Sequence, residues 1–478
     1  MKLDWKICWR ARLARDARFD GKFFIGVLST KIYCRPICRA RTSKEINIRY
    51  FLTAAAAAEA GFRPCLRCRP ECSPGAPAWA GTQNTVSRAL QLIGESGLEN
   101  GGVERLAGRL GVGSRHLRRL FLRHLGATPS AAAHTWRLHF AKKLIDETLL
   151  PMGQIAIAAG FGSVRRFNAA IHKVYHRTPT QIRRLTHVAP PWAQNEYFFR
   201  LNFRPPYNWK RILEYLAARA TPGVEAVESA CYRRSISLNG RHGQIEGSLD
   251  EQNNALIARV LFGDPRSLLF IIERIRAIFD LNADWAVIGK TLRADPSLAR
   301  RIAADPGLRV PGCWNGFELA VCAILGQVTV KGATVLAVRL ASCLGQPLSS
   351  ANGLTHLFPT PETIADADLT CVGLSRARAE TLRTFARAFC EKRIRFDGAP
   401  DYDAFRAQLR EIPGIGEWTA QYVAMRALRD PDAFPSGDPA LCHGAVRCTS
   451  PELERHAERW RPWRAYAAIV ALAMFRQS

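Results

Sequence analysis

Two pairs of cysteines constrain this chain more than any other feature. Three residues separate Cys34 from Cys38, two separate Cys65 from Cys68, and twenty-six lie between the pairs. Four thiolates at about 2.3 Å close a tetrahedral shell around zinc. The gap between the pairs has room for a helix and a strand, so the stretch reads as a small α/β domain organised around one metal ion. Disulfides are the other use of paired cysteines, and they belong to oxidising compartments. The chain starts "MKLDWKICWRARLARD", charged and aromatic, without the apolar run of a secretory leader. No window reaches eighteen uncharged apolar residues, so no membrane span and a cytoplasmic setting are expected. Spacing alone favours a closed structural staple that only holds a small domain together. Arg35, Arg39, Arg41, Arg63, Arg67 and Arg69 crowd the cysteines. A staple does not need guanidinium groups, whereas a phosphate-facing site does.

The basic bias extends along the whole chain. Lys plus Arg number 68 against 41 Asp plus Glu, a formal charge of +27. Such a surface can serve solubility alone, but it also drives binding to a polyanion by counterion release, which favours nucleic acid. At about 100–200 residues per domain, 478 residues make three or four domains. Breaker-rich "ECSPGAPAWAGTQ" and "VAPPW" mark boundaries. We expect domains at 1–76, 82–187, 197–305 and 306–478 in a multidomain, mainly α chain with α+β parts.

The stretch from Asp4 to Cys72, with "YCRPICRAR" and "GFRPCLRCRPE", resembles the N-terminal zinc domain of the Ada family of alkylation-response proteins. The resemblance implies one zinc held by Cys34, Cys38, Cys65 and Cys68. It implies that Cys34 accepts a methyl group from a methylated DNA phosphotriester. Thr30, Arg41, Arg63 and Arg67 become the phosphate contacts, and Cys72 is a bystander. A divalent ion with four thiolates carries about −2, and alkylating one sulfur leaves about −1. Repulsion from the DNA backbone falls, so damage is converted into tighter binding.

Residues 103–126, "VERLAGRLGVGSRHLRRLFLRHLG", and 152–179 each show helical apolar spacing interrupted by glycines, with Ser and Arg opening the second helix. One such unit could be an ordinary helical hairpin. Two, joined by a long helix, suit a tandem helix-turn-helix with two basic recognition helices. The pair resembles the AraC-type DNA-binding domain, closing with "GFGSVRRFNAAIHKVYHRTPTQIRR". This implies recognition by Arg115 and His116, with Ser114, Arg118 and Arg119, in the first unit. In the second it implies Arg165 and Arg166, with Ser163 and Asn168. His176 stands where that family has Gly, and Ala169 where Arg is common.

In the C-terminal half, "LREIPGIGEWTAQYVAMRAL" puts a PGIG turn between two helical patterns. Glycines at 414 and 416 let backbone N–H groups approach a phosphate. Trp418 and Tyr422 are four apart and share a helix face, which core packing alone would also explain. Asp438 in "FPSGDPAL" sits at a helix start, where capping is the ordinary role of a lone Asp. The order of these elements, ending in "ERWRPWRAYAAIVALAMF", resembles the AlkA family of helix-hairpin-helix DNA glycosylases over about residues 197–478. The resemblance implies a small α+β domain followed by an all-α glycosylase domain. Asp438 becomes the catalytic carboxylate, and Trp418, Tyr422 and Gln327 the base pocket. Gly414 and Gly416 contact DNA, with a monovalent cation at the hairpin carbonyls. Nicking relatives carry Lys where Trp418 stands, so a monofunctional enzyme is implied. Leu472 replaces an aromatic found in relatives, and Pro439 follows Asp438. "LCHGAV" at 441–446 does not match the "PCHRV" of a second methyltransferase module. The whole reads as a methyl sensor, transcription activator and glycosylase in one monomeric chain, with double-stranded DNA and RNA polymerase as partners. The competing reading is a regulator whose glycosylase-like half is inactive.

Overall fold

The computed structural model describes residues 4–75, 82–96, 102–185, 195–326, 330–348, 353–396, 401–442 and 449–475. Gln327 lies outside them. Contacts group the chain into two compact units, one of 1–205, 250–273 and 281–283, the other of 206–249, 274–280 and 284–478. The expected 197–305 segment contributes to both. No described helix is long and apolar enough to cross a membrane.

The first unit begins with the helix Trp5–Leu13, whose N-terminus is capped by the Asp4 carboxylate. Four short strands follow: β1 (Phe24–Val27), β2 (Ile32–Cys34), β3 (Ile48–Phe51) and β4 (Arg63–Pro64), in the order β3-β1-β2-β4. β1 runs antiparallel to β2 and β3, but β2 and β4 are parallel, with Tyr33 opposite Pro64. Parallel neighbours need a crossover connection. The residues between the cysteine pairs supply it, through β3 and the helix Ala54–Glu59. The parallel register is what brings Cys34 and Cys65 out at the same end of neighbouring strands. Phe24, Tyr33, Phe51 and Phe62 pack with Ala55–Ala57 to form the core beneath.

The two glycine-broken units are present as expected. Gly102–Arg109 and Ser114–Leu125 form the first, Met152–Ala158 and Val164–Tyr175 the second, joined by the long helix Pro129–Glu147. Ser163 caps its recognition helix by accepting from the Arg166 N–H. The helix Ser114–Leu125 closes on Gly126 at φ 69°, and Val164–Tyr175 closes on His176 at φ 53°. Gly adopts this left-handed backbone without penalty and His does not. This is the physical content of the His176 departure.

The four-stranded sheet docks on the long helix. Tyr33 Oη meets His139 Nε2 at 2.8 Å, and Thr53 Oγ1 donates to the Leu125 carbonyl at 2.9 Å. Arg69 reaches Glu71 at 3.2 Å, Asp146 at 3.0 Å and Glu147 at 3.0 Å, while Lys142 pairs with Asp146 and reaches Glu71 at 3.5 Å. These charges are mostly buried, so they hold only as a set.

Five more strands follow: β5 (Glu196–Asn202), β6 (Glu225–Glu228), β7 (Cys231–Leu238), β8 (Arg241–Asp250) and β9 (Ala255–Phe262). In the first unit β5 pairs antiparallel with β9. In the second, β6, β7 and β8 form an antiparallel meander. The second unit is otherwise helical. Gly316–Leu325, Arg376–Cys390, Tyr402–Arg410 and Glu417–Ala427 enclose a core in which Phe317 stacks on Phe385 at 5.3 Å. The PGIG turn joins the last two helices, with Ile415 N–H closing on the Ile412 carbonyl. Gly414 has φ 90°, and a Cβ there would meet Thr381 Oγ1 at 2.2 Å. Gly416 has open space around the equivalent position.

Two outcomes are expected. Gly414→Ala lowers stability by about 2–3 kcal/mol through strain and collision, whereas Gly416→Ala changes it by less than about 0.5 kcal/mol; urea melts of the full chain check both. Burial, with Lys142 and against Glu71, lowers the His139 pKa from 6.5 to about 4. The native state then binds fewer protons than the unfolded chain, so stability is complete above pH 6.5 and falls as the pH drops toward 4. His139→Gln flattens that slope in melts recorded across the same window.

Candidate functional sites

Cys34, Cys38, Cys65 and Cys68 converge, and their sulfur atoms all lie within 4.8 Å of one another. A tetrahedral four-thiolate shell at about 2.3 Å per bond separates its sulfurs by about 3.8 Å, so the set fits zinc with small adjustment. The backbone prepares the shell. The Cys65 N–H donates to the Tyr33 carbonyl at 3.0 Å across the parallel strands, and the Arg35 N–H donates to Cys68 Sγ at 3.3 Å. Hydrogen bonding among the sulfurs, led by the contacts of Cys34, pushes Cys34 and Cys68 up and holds Cys38 and Cys65 down, Cys38 to about 7. Thiols this close share protons instead of all ionising, and a divalent cation is what allows four thiolates together. Cys72 is buried outside the cluster, near Glu147.

The six surrounding arginines divide into two kinds. Arg35 is buried, ion-paired with Asp20 and bonded to the Cys68 carbonyl at 3.1 Å. Arg69 is engaged by the long helix. These two are structural, and the sequence offered no sign of it because Asp20, Asp146 and Glu147 lie far from them along the chain. Arg39, Arg41 and Arg67 are exposed, as is Thr30, and Arg63 is half-buried beside them in sequence. Arg35 thus orients a loop of the metal shell from behind.

On the recognition helices Arg115, His116, Arg165 and Arg166 are all exposed. Arg119 meets His116 Nδ1 at 3.0 Å, and Arg118 pairs with Glu104 at 2.7 Å. Exposed pairs of this kind are weak and exchange readily for phosphate or base partners.

In the second unit Trp418 and Tyr422 stack with ring centroids 5.4 Å apart and planes 13° from parallel. Trp418 Nε1 donates to Asp438 Oδ2 at 3.3 Å. The other oxygen of Asp438 accepts from the Ala440 N–H at 2.9 Å, capping the short helix Pro439–Leu441. The carboxylate is therefore a helix cap and a partner of the indole at once, with one donor fixing each oxygen. The fold joins Trp418, Tyr422 and Asp438 in one place, and Gly414 and Gly416 enter the helix that carries both rings. Leu472 is half-buried on the helix Arg464–Phe475. Sequence reasoning missed Arg426, which donates to Tyr422 Oη at 2.8 Å. Its spacing, four residues past Tyr422, was the available signal.

Comparison with known proteins accords with each part. Residues 7–71 match the metal binding domain of Ada, 106–185 a helix-turn-helix domain and 198–315 the AlkA N-terminal domain. The chain is 38% identical over 473 residues to a probable bifunctional transcriptional activator/DNA repair enzyme AlkA of Mycobacterium tuberculosis, covering 97% of this chain and 95% of that protein. It is 34% identical over 275 residues to DNA-3-methyladenine glycosylase 2 of Escherichia coli, covering 57% of this chain and 95% of that one. A 3-methyladenine DNA-glycosylase from Archaeoglobus fulgidus shares the fold, with a TM-score of 0.51 and 21% identity over 58% of this chain and 98% of its own. With relatedness along nearly its whole length and both sites assembled, the chain belongs to the Ada–AlkA fusion family of bifunctional transcriptional activator/DNA repair proteins.

Proposed function

We propose that this protein senses alkylated DNA through Cys34, activates transcription through its tandem helix-turn-helix, and excises alkylated purines with Asp438. The sensor reading rests on four converging sulfurs flanked by exposed cationic side chains. The excision reading is carried by one observation: the stacked Trp418–Tyr422 pair holds the Asp438 carboxylate at its edge.

Cys34, Cys38, Cys65 and Cys68 would hold zinc, which would keep their sulfurs deprotonated at neutral pH while leaving them nucleophilic. Cys34 sulfur then forms a bond to the methyl carbon, the methyl–oxygen bond breaks, and the electron pair leaves on the phosphate, which becomes an ordinary diester. No proton moves. The neutral triester is not repelled by the anionic cluster, whereas a diester is. Loss of one negative charge from the cluster strengthens binding to the phosphates faced by Thr30, Arg41, Arg63 and Arg67. Arg115, His116, Arg165 and Arg166 then read an operator in the major groove, and the bound protein recruits RNA polymerase.

A 3- or 7-alkylated purine is cationic and leaves readily once it is flipped from the stack. Trp418 and Tyr422 offer it an electron-rich surface. Asp438 stabilises positive charge on the sugar as the glycosidic bond breaks and receives the proton of the attacking water. Base and abasic site are the products. Trp418 replaces the amine that nicking relatives use, so the strand stays intact. The hairpin with Gly414 and Gly416 grips the backbone, and its carbonyls would hold a monovalent cation. The protein acts as a monomer in the cytoplasm.

Two measurements test this. Release of 3-methyladenine and 7-methylguanine from methylated duplex falls at least about a hundredfold in Asp438→Asn. Unchanged release would remove Asp438, and no release by the unaltered protein would leave only a regulator. Mass spectrometry after exposure to methylated DNA finds one added methyl on the peptide carrying Cys34, and none in Cys34→Ser.

A further inference from the structure

Arg12 stands in the last turn of the helix Trp5–Leu13. Cys8 and Ala11 of that helix are buried, and they pack with Phe23 and Ile25 into a small core that Tyr50 joins at its margin. The core lies on one face of the four-stranded sheet. Ile25 of β1 is opposite Cys34 of β2 and opposite Tyr50 of β3. Directly opposed residues point to the same face. Cys34, Ile25 and Tyr50 therefore form one row, and the helix that carries Arg12 covers its middle. Residues four apart lie on one side of a helix, so Arg12 leaves it on the same side as Cys8, toward this row.

Two polar atoms here are buried without a hydrogen-bond partner: Arg12 Nη1 and Tyr50 Oη. Burial lowers the Arg12 pKa, and Cys34, Tyr50 and Cys38 oppose that shift, so two sulfurs of the metal site are its electrostatic neighbours. A guanidinium only donates, and a buried N–H without an acceptor is costly. The acceptor this nitrogen lacks arises when Cys34, Cys38, Cys65 and Cys68 serve as metal ligands, because all four are then thiolates. The cluster then carries about −2, and Arg12 is the cation that faces it from the helix. Arg39, Arg41 and Arg67 stand exposed, where solvent and salt screen their charges. The Arg12 nitrogen has no such screen.

We propose that Arg12 is a positioning residue of the metal shell: its buried guanidinium donates to the Cys34 sulfur in the thiolate state, which strengthens the shell and restrains Cys34 as a nucleophile. This rests on reading Cys34 as the methyl acceptor. The two consequences run in opposite directions. A cationic donor beside thiolates favours their deprotonated form, and metal binding competes with protons for those sulfurs, so affinity for the metal rises. In methyl transfer the Cys34 sulfur bonds the methyl carbon, the methyl–oxygen bond breaks, and the electron pair leaves on a phosphate oxygen. Negative charge moves off the sulfur, so a partner that stabilises it there slows the step. Thiolate nucleophilicity falls with thiolate stability at a Brønsted slope of about 0.4–0.5, so tenfold stabilisation slows attack about threefold.

The test uses the full chain. Zinc affinity is read by competition with a chromophoric chelator. Methylation of Cys34 is followed by mass spectrometry in a single turnover, with zinc saturating, on duplex carrying a methylphosphotriester. In Arg12→Met the affinity for zinc falls about tenfold, while the zinc-loaded protein is methylated about threefold faster. Arg12→Lys, which keeps the charge, stays within about twofold of the unaltered protein on both. A merely structural role lowers both quantities together, and that result would overturn the proposal. So would an unchanged zinc affinity, an unchanged rate, or a lysine variant no better than the methionine one. If Arg12→Met does not fold by circular dichroism, Arg12→Gln, which keeps an N–H donor and drops the charge, decides alone by the same opposed shifts. Failure of the underlying reading is separate: the unaltered, zinc-loaded protein then gains no methyl on Cys34.

Discussion

A cation taken out of water must find acceptors, and this strongly basic chain takes several out. Arg35, Arg204, Arg234, Arg309 and Arg426 are each less than a tenth exposed. Their partners differ, and the differences organise the structure. Arg35 meets Asp20 and so anchors the loop between the first two metal-site cysteines. Arg234 meets Glu318 at 2.8 Å and ties the meander to the first helix of the hairpin domain. Arg204 donates to the carbonyls of Asp20 and Asn282. Such groups stabilise little in net energy, but removing one partner strands the other in a dry environment. They therefore specify which segments meet.

Other arginines stay in water, and around the sulfur cluster that division separates framework from function. There Arg41 and Arg67, which the resemblance assigns to phosphate, are exposed together with Arg39, and Arg63 is half-buried. The two withdrawn members secure the shell and the long helix. Because the sheet carrying Cys34 is joined through Tyr33, His139 and the Arg69 network to the helix between the two recognition units, sensor and reader share one framework within the first unit. A change in charge at the sulfurs therefore needs no long-range signal to matter. Both surfaces are carried by that shared body, so in the proposed function a charge change at one adds to the DNA affinity of the other.

The excision site shows a related economy. Asp438 caps a helix with one oxygen and accepts from an indole with the other, so the ordinary structural role of such a residue and its contact with the aromatic pair use different oxygens of one carboxylate. The same helix that presents Trp418 and Tyr422 buries Arg426 one turn later, so the stack is fastened from within the fold.

Much of this was legible in residue order. Local physics determined the cysteine spacing, the glycine-broken helix pairs, the PGIG turn and the i, i+4 aromatic pair, because turns, caps and helix faces depend on neighbours a few residues away. Tertiary structure alone decided which arginines are buried, since Asp20, Asp146 and Glu318 are distant in sequence from the cations they meet. It also decided that a parallel strand pairing, not the loops themselves, brings Cys34 and Cys65 together. It decided, finally, that Asp438 lies at the edge of Trp418, because that contact joins residues twenty apart and no periodicity records it; the bond from Arg426 to Tyr422, by contrast, is an i, i+4 contact within one helix that the spacing allowed.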